Sequence, residues 1–153
     1  MITYTLADKR DLAAISLLLK INDLPFSDIQ ESAIDFIVAK DDQQIIGCIG
    51  LEKNGSEGLL RSFAVDHNFQ NKGFGRELYD RLLAYGVQHD IKTLHLLTTT
   101  AKEYFMKVGF RLDSRSNAPE IIQKSKEFSS LCPSSSTYMV LENISKQAPA
   151  FLQ

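Results

Sequence analysis

The stretch RSFAVDHNFQNKGFGREL, residues 61–78, passes from an alternating apolar segment through a polar loop into two glycines and then a helical pattern. Gly73 and Gly75 stand where that helix begins. The start of a helix leaves several backbone N–H groups without partners, and glycine lets a ligand approach the backbone closely. Such a unit is suited to binding phosphate. We therefore predict that the amides of residues 71–76 form an anion site.

Two common nucleotide-binding motifs do not fit this loop. A dinucleotide-binding fingerprint needs a third glycine where Leu78 stands, and it normally follows the first strand of a βαβ unit. A P-loop needs a lysine followed by serine or threonine, but Arg76 and Glu77 occupy those places. The remaining alternative to a phosphate site is a tight turn between a strand and a helix that binds nothing.

Composition narrows the class of protein. The 153 residues fit one domain, and 17 lysines and arginines against 19 acidic residues give no overall field that would attract nucleic acid or an anionic membrane. No apolar run approaches the roughly 20 residues of a membrane span. Cys48 and Cys132 are far apart and lack a CxxC spacing. We expect a cytoplasmic protein with free thiols.

Metal binding has no support in the sequence. The sequence spacing of the histidines, among themselves and relative to the cysteines, is not that of metal ligands. We therefore interpret His67, His89 and His95 as surface or half-buried side chains. Cys132, in the stretch LCPSSS (131–136), is interpreted as a small buried residue entering a turn rather than as a nucleophile. We expect no metal.

The apolar patterns alternate between strand and helix periods along the chain. They predict strands over 2–6, 35–40, 44–52, 59–65, 92–97 and 136–142, and helices from Asp8 to Leu19, from Gly75 to Val87, over 98–109 and over 119–131. This order indicates a mixed α/β sheet in a single domain over residues 1–143. Residues 144–153 are polar and contain Pro149, so we expect this tail to fray.

Two blocks of the chain resemble the GNAT superfamily of acyl-CoA-dependent N-acyltransferases. Gln70, Asn71, Lys72, Gly73, Phe74 and Gly75 match its Q/R-x-x-G-x-G/A loop, and LHLLTTTAKEYFMKVGF (94–110) is similar to its next strand and helix. The resemblance implies a mostly antiparallel sheet flanked by helices. It also implies acetyl-CoA as co-substrate, with Ala64, Val65 and Arg76 joining the loop in contacting the coenzyme.

A narrower resemblance concerns the substrate. GLEKNGSEGLLRSFAV (50–65) and KEFSSLCPSSSTYM (126–139) look like small amino-acid N-acetyltransferases associated with arsenic resistance, and LLTTTAKEYFMKVGF (96–110) is similar to the acetyltransferase domain of N-acetylglutamate synthase. These resemblances imply acetylation of the α-amine of an acidic amino acid, or of its phosphinate or arsinate analogue. These resemblances do not fix the oligomeric state, and a homodimer is compatible with them.

The catalytic groups are displaced from their usual places in the superfamily. The usual carboxylate position on the strand before the loop holds Leu59, so we consider Glu52 as the base. A four-residue hairpin loop over 54–57 pairs Glu52 with Leu59, whereas a two-residue turn at Asn54 and Gly55 pairs it with Glu57. A solvated carboxylate without a role is the alternative. The usual tyrosine position holds Phe105, with Tyr104 one residue earlier as the candidate proton donor or a simple rim aromatic.

Arg61 is the candidate ligand for a substrate carboxylate. Strand alternation places it on the face of Leu59 and Phe63, and a guanidinium there suits bidentate binding of a carboxylate. Phe63 and Thr98 are further candidate substrate contacts. The alternative for Arg61 is an exposed strand residue. For the whole chain, the alternative to an enzyme is a coenzyme-binding sensor or regulatory module without turnover.

Overall fold

Seven strands and four α-helices form the chain in the computed structural model, which describes residues 1–148. The strands are β1 (Ile2–Leu6), β2 (Asp35–Asp41), β3 (Gln44–Asn54), β4 (Glu57–Val65), β5 (Thr93–Thr98), β6 (Arg111–Asp113) and β7 (Thr137–Glu142). The α-helices are α1 (Leu12–Ile21), α2 (Phe74–Gln88), α3 (Lys102–Lys107) and α4 (Glu120–Gln123). A short π-helix spans Glu127–Leu131.

The strands form one sheet in the order β1-β2-β3-β4-β5-β7-β6. Every neighbouring pair is antiparallel except β4 and β5, which are parallel. The predicted mixed, mostly antiparallel sheet flanked by helices is therefore confirmed. The β3–β4 hairpin pairs Asn54 with Glu57 across a turn at Gly55 and Ser56, and this register places Glu52 opposite Leu59.

Two predicted helices are shorter than the sequence indicates. The helix expected over 98–109 starts at Lys102, because the Thr98 hydroxyl accepts a hydrogen bond from the Ala101 N–H at 2.9 Å and holds the preceding residues in a turn. The helix expected over 119–131 divides into α4 and the π-helix. Between them the Ser125 hydroxyl accepts a hydrogen bond from the Phe128 N–H, which starts the second segment.

The sheet buries apolar side chains on both faces. On one face, α1 packs Ile15, Leu18 and Leu19 against β2, β3 and β4. On the other, α2 packs Leu78, Leu82 and Leu83 into a larger cluster that also contains α3. Burying an aliphatic side chain contributes about 1.5–3 kcal/mol. We call these faces the α1 face and the α2 face.

The parallel pair β4–β5 is short, and this shapes the site. Pairing is limited to Glu57–Leu59 against Thr93–His95. Beyond that point β4 continues along β3 while β5 continues along β7, so the two strands separate. The sheet is therefore open between the second half of β4 and the end of β5.

Three side chains joined by hydrogen bonds cross the closed end of this opening. The two ring nitrogens of His95 lie 2.7 Å from Glu57 Oε1 and 2.6 Å from the Tyr138 hydroxyl, which links β4, β5 and β7. His95 is buried, which corrects the expectation of a surface or half-buried histidine. Polar partners on both ring nitrogens permit this burial.

A β-bulge in β4 interrupts the alternation of its side chains. The register shifts between Cys48 and Gly50, opposite the segment from Arg61 to Ala64, and Ser62 has a φ of 57°. An extra residue in a strand moves the following side chains to the opposite face. Arg61 consequently lies on the α1 face, whereas Phe63 packs on the α2 face. The expectation that these two side chains share a face is wrong.

The chain after Asn143 is ordered as far as the structure describes it. Ile144 is fully buried in the cluster of the α2 face, and its N–H donates to the Lys92 carbonyl at 3.1 Å. Burial of Ile144 corrects the expectation that the tail frays from residue 144 onward. The part of that expectation concerning residues 149–153 lies outside the described residues.

We predict that Gly58→Ala destabilises the fold. A Cβ atom at this position, paired with Leu94 where β4 begins to leave β5, would lie 2.9–3.1 Å from the side chains of Leu51, Ile91 and Leu94. Overpacking of this kind costs about 1–3 kcal/mol. Urea denaturation should show a fall of that size in the free energy of unfolding.

Gly75→Ala is the matched control, because its Cβ would have only ordinary contacts at 3.6 Å or more. Its free energy of unfolding should equal or exceed that of the wild type, since alanine favours a helix over glycine. Equal stability of the Gly58→Ala and wild-type proteins would contradict the prediction.

Candidate active site

The anion site predicted from the sequence corresponds to the glycine loop and the start of α2. Gly73 has a φ of 90°, and no side chain caps the helix that follows it. The Glu77 N–H bonds to the Gly73 carbonyl, whereas the amides of Phe74, Gly75 and Arg76 come before that first helical bond. Free amides at the positive end of a 15-residue helix are suited to bind phosphate.

Side chains of the loop hold its shape. The Gln70 amide donates to the Val65 carbonyl at 2.9 Å, which ties the loop to the end of β4. The Lys72 ammonium lies 5.8 Å from the centre of the Phe69 ring, and Arg76 donates to Asp80 at 3.0 Å. Lys72 and Arg76 remain exposed, so both charges are available to an anion on the loop.

Aromatic residues line the α2 side of the opening between β4 and β5. The Tyr104 ring packs edge-on against Phe63, with 6.0 Å between centroids, while Phe105 turns into the core against Tyr79 and Phe110. The hydroxyls of Tyr79 and Tyr104 are buried, and neither has a hydrogen-bond partner among residues 1–148. A buried hydroxyl is costly when unpaired, so a hydrogen bond from a water or a ligand to either group would be favourable.

Tyr104 is thus the tyrosine that faces Phe63, although it stands one residue from the usual position. Burial raises its pKa, against the nearby positive charge of Arg76, and the charge of Asp80 raises it further. Its hydroxyl is protonated at neutral pH and has a proton to donate. Its role as donor stays a prediction.

An ionic cluster lies on the α1 face beside the bulge. Arg61 donates to both carboxylate oxygens of Asp28 at 2.7 Å and to Glu52 at 2.9 Å. The carboxylate of Glu127 lies 3.5 Å from Arg61 Nε, which itself donates to the Ser62 hydroxyl. We call Asp28, Glu52, Arg61 and Glu127 the Arg61 cluster.

The charges of the cluster do not balance. One guanidinium faces three carboxylates, which leaves two negative charges when all are ionised. Burial raises the pKa of Asp28, but hydrogen bonds from Arg61 and Ser32 outweigh it and hold the pKa below the usual range. Burial raises the pKa of Glu127 to about 7, against the positive charge of Arg61, and the negative charges of Glu52 and Asp28 raise it further. The cluster therefore favours a cation.

Arg61 is neither an exposed strand residue nor a free carboxylate ligand. Its side chain is 0% exposed, and Asp28 already occupies the bidentate edge of its guanidinium. The contact predicted between Arg61 and a substrate carboxylate is therefore not available in this arrangement, because it requires Asp28 to leave.

Glu52 lies in the register that pairs it with Leu59, which is the one its predicted role requires. It pairs with Leu59, and its side chain is 15% exposed against 4% for Asp28 and 5% for Glu127. Glu52 is therefore the most solvent-accessible carboxylate of the Arg61 cluster. Thr98 lies at the end of β5, where its hydroxyl accepts a hydrogen bond from the Ala101 N–H in the turn before α3. Ala64 packs on the α1 face.

Cys132 is close to the Arg61 cluster. Burial raises the pKa of its thiol to about 12, and the charge of Glu127 adds to the effect. The thiol is therefore protonated at neutral pH. Cys132 is half-buried, which corrects the expectation of a buried residue.

Asp28, Glu127 and Tyr79 were not singled out from the sequence. Asp28 lies in an irregular segment between α1 and β2, so no periodicity marks it. Glu127 precedes the apolar Phe128 in a segment that was expected to be a regular helix. Only Tyr79 carried a signal, since it lies one turn after Gly75 on α2.

Within residues 1–148, no group of His, Cys, Asp and Glu side chains is arranged to hold a metal ion. The helices of the same range include none long and apolar enough to span a membrane.

The sheet opening, the glycine loop and the paired strands define an acyl-CoA-binding fold. The profile of the acetyltransferase (GNAT) family matches residues 9–110. The chain belongs to this family of acetyl-CoA-dependent N-acetyltransferases.

Solved structures share this fold at low sequence identity. N-acetylglutamate synthase from Neisseria gonorrhoeae, complexed with coenzyme A and N-acetyl-glutamate, has a TM-score of 0.79 at 20% identity, over 94% of this chain and 35% of that protein. Rv2747 from Mycobacterium tuberculosis, complexed with CoA, has a TM-score of 0.75 at 21% identity, over 92% of this chain and 98% of that protein. The ribosomal-protein-S18-alanine N-acetyltransferase from Escherichia coli has a TM-score of 0.72 at 18% identity, over 94% of both chains. The chain thus spans about a third of the synthase.

We predict that Gly75→Val folds but loses coenzyme affinity. The new Cβ would have only ordinary contacts with Phe63 and Val65, whereas the larger side chain would cover the amides at the start of α2. Losing hydrogen bonds to a charged group costs about 1.5–3 kcal/mol, which is about 10-fold or more in affinity. Calorimetric titration with acetyl-CoA measures it.

Gly75→Ala should bind the coenzyme nearly as well as the wild type, because only a methyl group is added. Wild-type affinity in a folded Gly75→Val protein would place the phosphates elsewhere.

Proposed function

We propose that the chain transfers an acetyl group from acetyl-CoA directly to the α-amine of a small amino acid. The observation that carries this proposal is the Arg61 cluster. It combines a guanidinium, which suits a carboxylate, with two further carboxylates, Glu52 and Glu127, which suit an ammonium group. An α-amino acid has both groups one carbon apart.

The two reactants would approach from opposite faces of the sheet. The coenzyme would place its pyrophosphate on the amides at the start of α2, and its chain would enter the opening beside Phe63 and Tyr104. The amine would come from the α1 face, where Glu52 lies opposite Leu59. The thioester and the amine would then meet at the bulge, without a covalent enzyme intermediate.

The chemistry needs two proton transfers. The ammonium group must lose a proton before its nitrogen attacks the thioester carbonyl, and the thiolate leaving group takes one up. Tyr104, whose hydroxyl is protonated and without a partner among the described residues, is our candidate donor to the thiolate. A carboxylate of the Arg61 cluster is the candidate acceptor.

Arg61 would bind the substrate carboxylate in exchange for Asp28. Arg61 is fixed on β4, whereas Asp28 lies in the irregular segment between α1 and β2. The residues after it, including Ile29, Gln30 and Ser32, border a surface cavity of about 480 Å³, so this segment has space beside it. Asp28 would therefore hold the place of the substrate carboxylate until the substrate arrives.

The acidic nature of the substrate rests on resemblance. The N-acetylglutamate synthase with a similar fold was solved with N-acetyl-glutamate bound. Together with the sequence resemblance to amino-acid N-acetyltransferases, this favours glutamate-like substrates and their phosphinate or arsinate analogues. The charges of the Arg61 cluster explain recognition of the α-amine and the α-carboxylate, but they do not specify the substrate's side chain.

Thiol release from acetyl-CoA across a panel of amino acids tests the proposed function. Each amino acid is paired with its decarboxylated amine, so that the panel separates recognition of the amine from recognition of the carboxylate. We expect release with a subset of amino acids and much weaker release with their amines. Coenzyme binding without thiol release from any partner would instead identify a sensor or regulatory module.

We predict that Asp28→Asn lowers the KM for the amino acid. Asparagine keeps the shape of the side chain but competes less well for the guanidinium, and a charged hydrogen bond contributes about 1.5–3 kcal/mol. A fall in KM of about 10-fold is expected from steady-state kinetics. Asp23→Asn, which changes an exposed carboxylate earlier in the same segment, should leave the KM unchanged. A higher KM in Asp28→Asn would show that Asp28 supports substrate binding instead of competing with it.

A further inference from the structure

Glu127 differs from the other carboxylates of the Arg61 cluster. Among residues 1–148, the Glu127 carboxylate has a single polar contact, with Arg61 Nε at 3.5 Å. This distance is too long for a hydrogen bond. The Nε–H is directed to the Ser62 hydroxyl, at 3.1 Å. A carboxylate that is 5% exposed therefore lacks a hydrogen-bond donor from the described chain.

The other two carboxylates are satisfied. Asp28 accepts two hydrogen bonds from Arg61 and one from Ser32, each at 2.7 Å, and Glu52 accepts one from Arg61 at 2.9 Å. Their ionised forms are thus compensated by donors, whereas that of Glu127 is not. A buried carboxylate without donors gains most from taking up a proton.

We infer that Glu127 accepts the proton of the substrate's ammonium group, while Glu52 binds that ammonium group in place. This inference rests on the proposed function and names the carboxylate that acts as the base. Glu52 is more exposed and lies opposite Leu59, so it meets the amine first. Glu127 faces the same guanidinium from the π-helix.

The proton balance is complete without another reactant. An N–H bond of the ammonium group breaks and an O–H bond forms on Glu127, directly or through one water. The nitrogen lone pair then attacks the thioester carbonyl, and the C–S bond breaks. The second proton of the nitrogen reaches the thiolate through Tyr104 or water, and Glu127 returns its proton to solvent.

The electrostatics of the cluster agree with this role. Burial raises the pKa of Glu127 to about 7, with further increases from Glu52 on β3 and from Asp28 after α1, against the charge of Arg61 on β4. Cys132, in the segment after the π-helix, is a protonated thiol. A base with a pKa near the working pH is efficient. Below this pKa Glu127 is protonated and accepts no proton, so turnover should fall as the pH drops through about 7.

Paired glutamine variants separate the two carboxylates. For Glu127→Gln we expect kcat to fall by about 10²–10⁴-fold at neutral pH, with loss of the acid limb of the kcat profile. For Glu52→Gln we expect a higher KM for the amine and an unchanged acid limb. Glu120→Gln, an exposed carboxylate on α4, is the control and should behave as the wild type.

A carbon-13 titration of glutamate-labelled protein gives a readout that does not depend on turnover. The carboxyl resonance that disappears in Glu127→Gln should titrate near pH 7 in the wild type, far above the ordinary glutamate value of about 4.3. Thermal unfolding and coenzyme titration check that each variant folds. Folding raises the pKa of Glu127, so its ionised form is disfavoured in the folded protein, and replacing it by neutral glutamine should not destabilise the protein.

Three results would overturn the inference. They are near-normal kcat in folded Glu127→Gln, an acid limb that persists in this variant, and a Glu127 resonance that titrates near the ordinary glutamate value. Loss of the acid limb in Glu52→Gln instead would assign the base to Glu52. Absence of thiol release by the wild type with every amine would refute the proposed function itself, and the inference with it.

Discussion

The buried guanidinium of Arg61 is the interaction on which the candidate site depends. It joins β4 to β3 through Glu52, to the irregular segment after α1 through Asp28, and to the π-helix through Glu127. Taking a charge out of water is costly, so the guanidinium requires these partners. Three carboxylates nevertheless exceed what one guanidinium neutralises, and this excess of negative charge makes the cluster suited to a cation.

The separation of β4 from β5 places this cluster next to the opening in the sheet. Parallel pairing ends at Leu59 and His95, and the bulge at Ser62 then directs Arg61 and Phe63 to opposite faces. One strand thereby contributes a charged group to the α1 face and an aromatic wall to the α2 face. The chain Glu57–His95–Tyr138 holds the closed end of the opening, so the opening has a fixed position in the sheet.

Local patterns predicted much of this arrangement. Strand alternation gave the sheet, and the hairpin between Asn54 and Glu57 has the register that pairs Glu52 with Leu59. Alternation failed at Ser62, because a bulge depends on the pairing of two strands and leaves no mark in one of them. The tail was expected to fray from residue 144 onward, since polar neighbours hide Ile144, which is buried against α2. Asp28 and Glu127 were missed for a similar reason, since each is a single polar residue in an irregular segment.

The sequence by itself determined the order of the six predicted strands, the glycine loop and the family resemblance, because these depend on residues close together in the chain. Tertiary structure alone decided which charges meet. Asp28, Glu52, Arg61 and Glu127 span about a hundred residues, and no local rule predicts that they share one buried space. Folding removes them from water together, and the resulting desolvation and mutual repulsion give Glu127 its raised pKa.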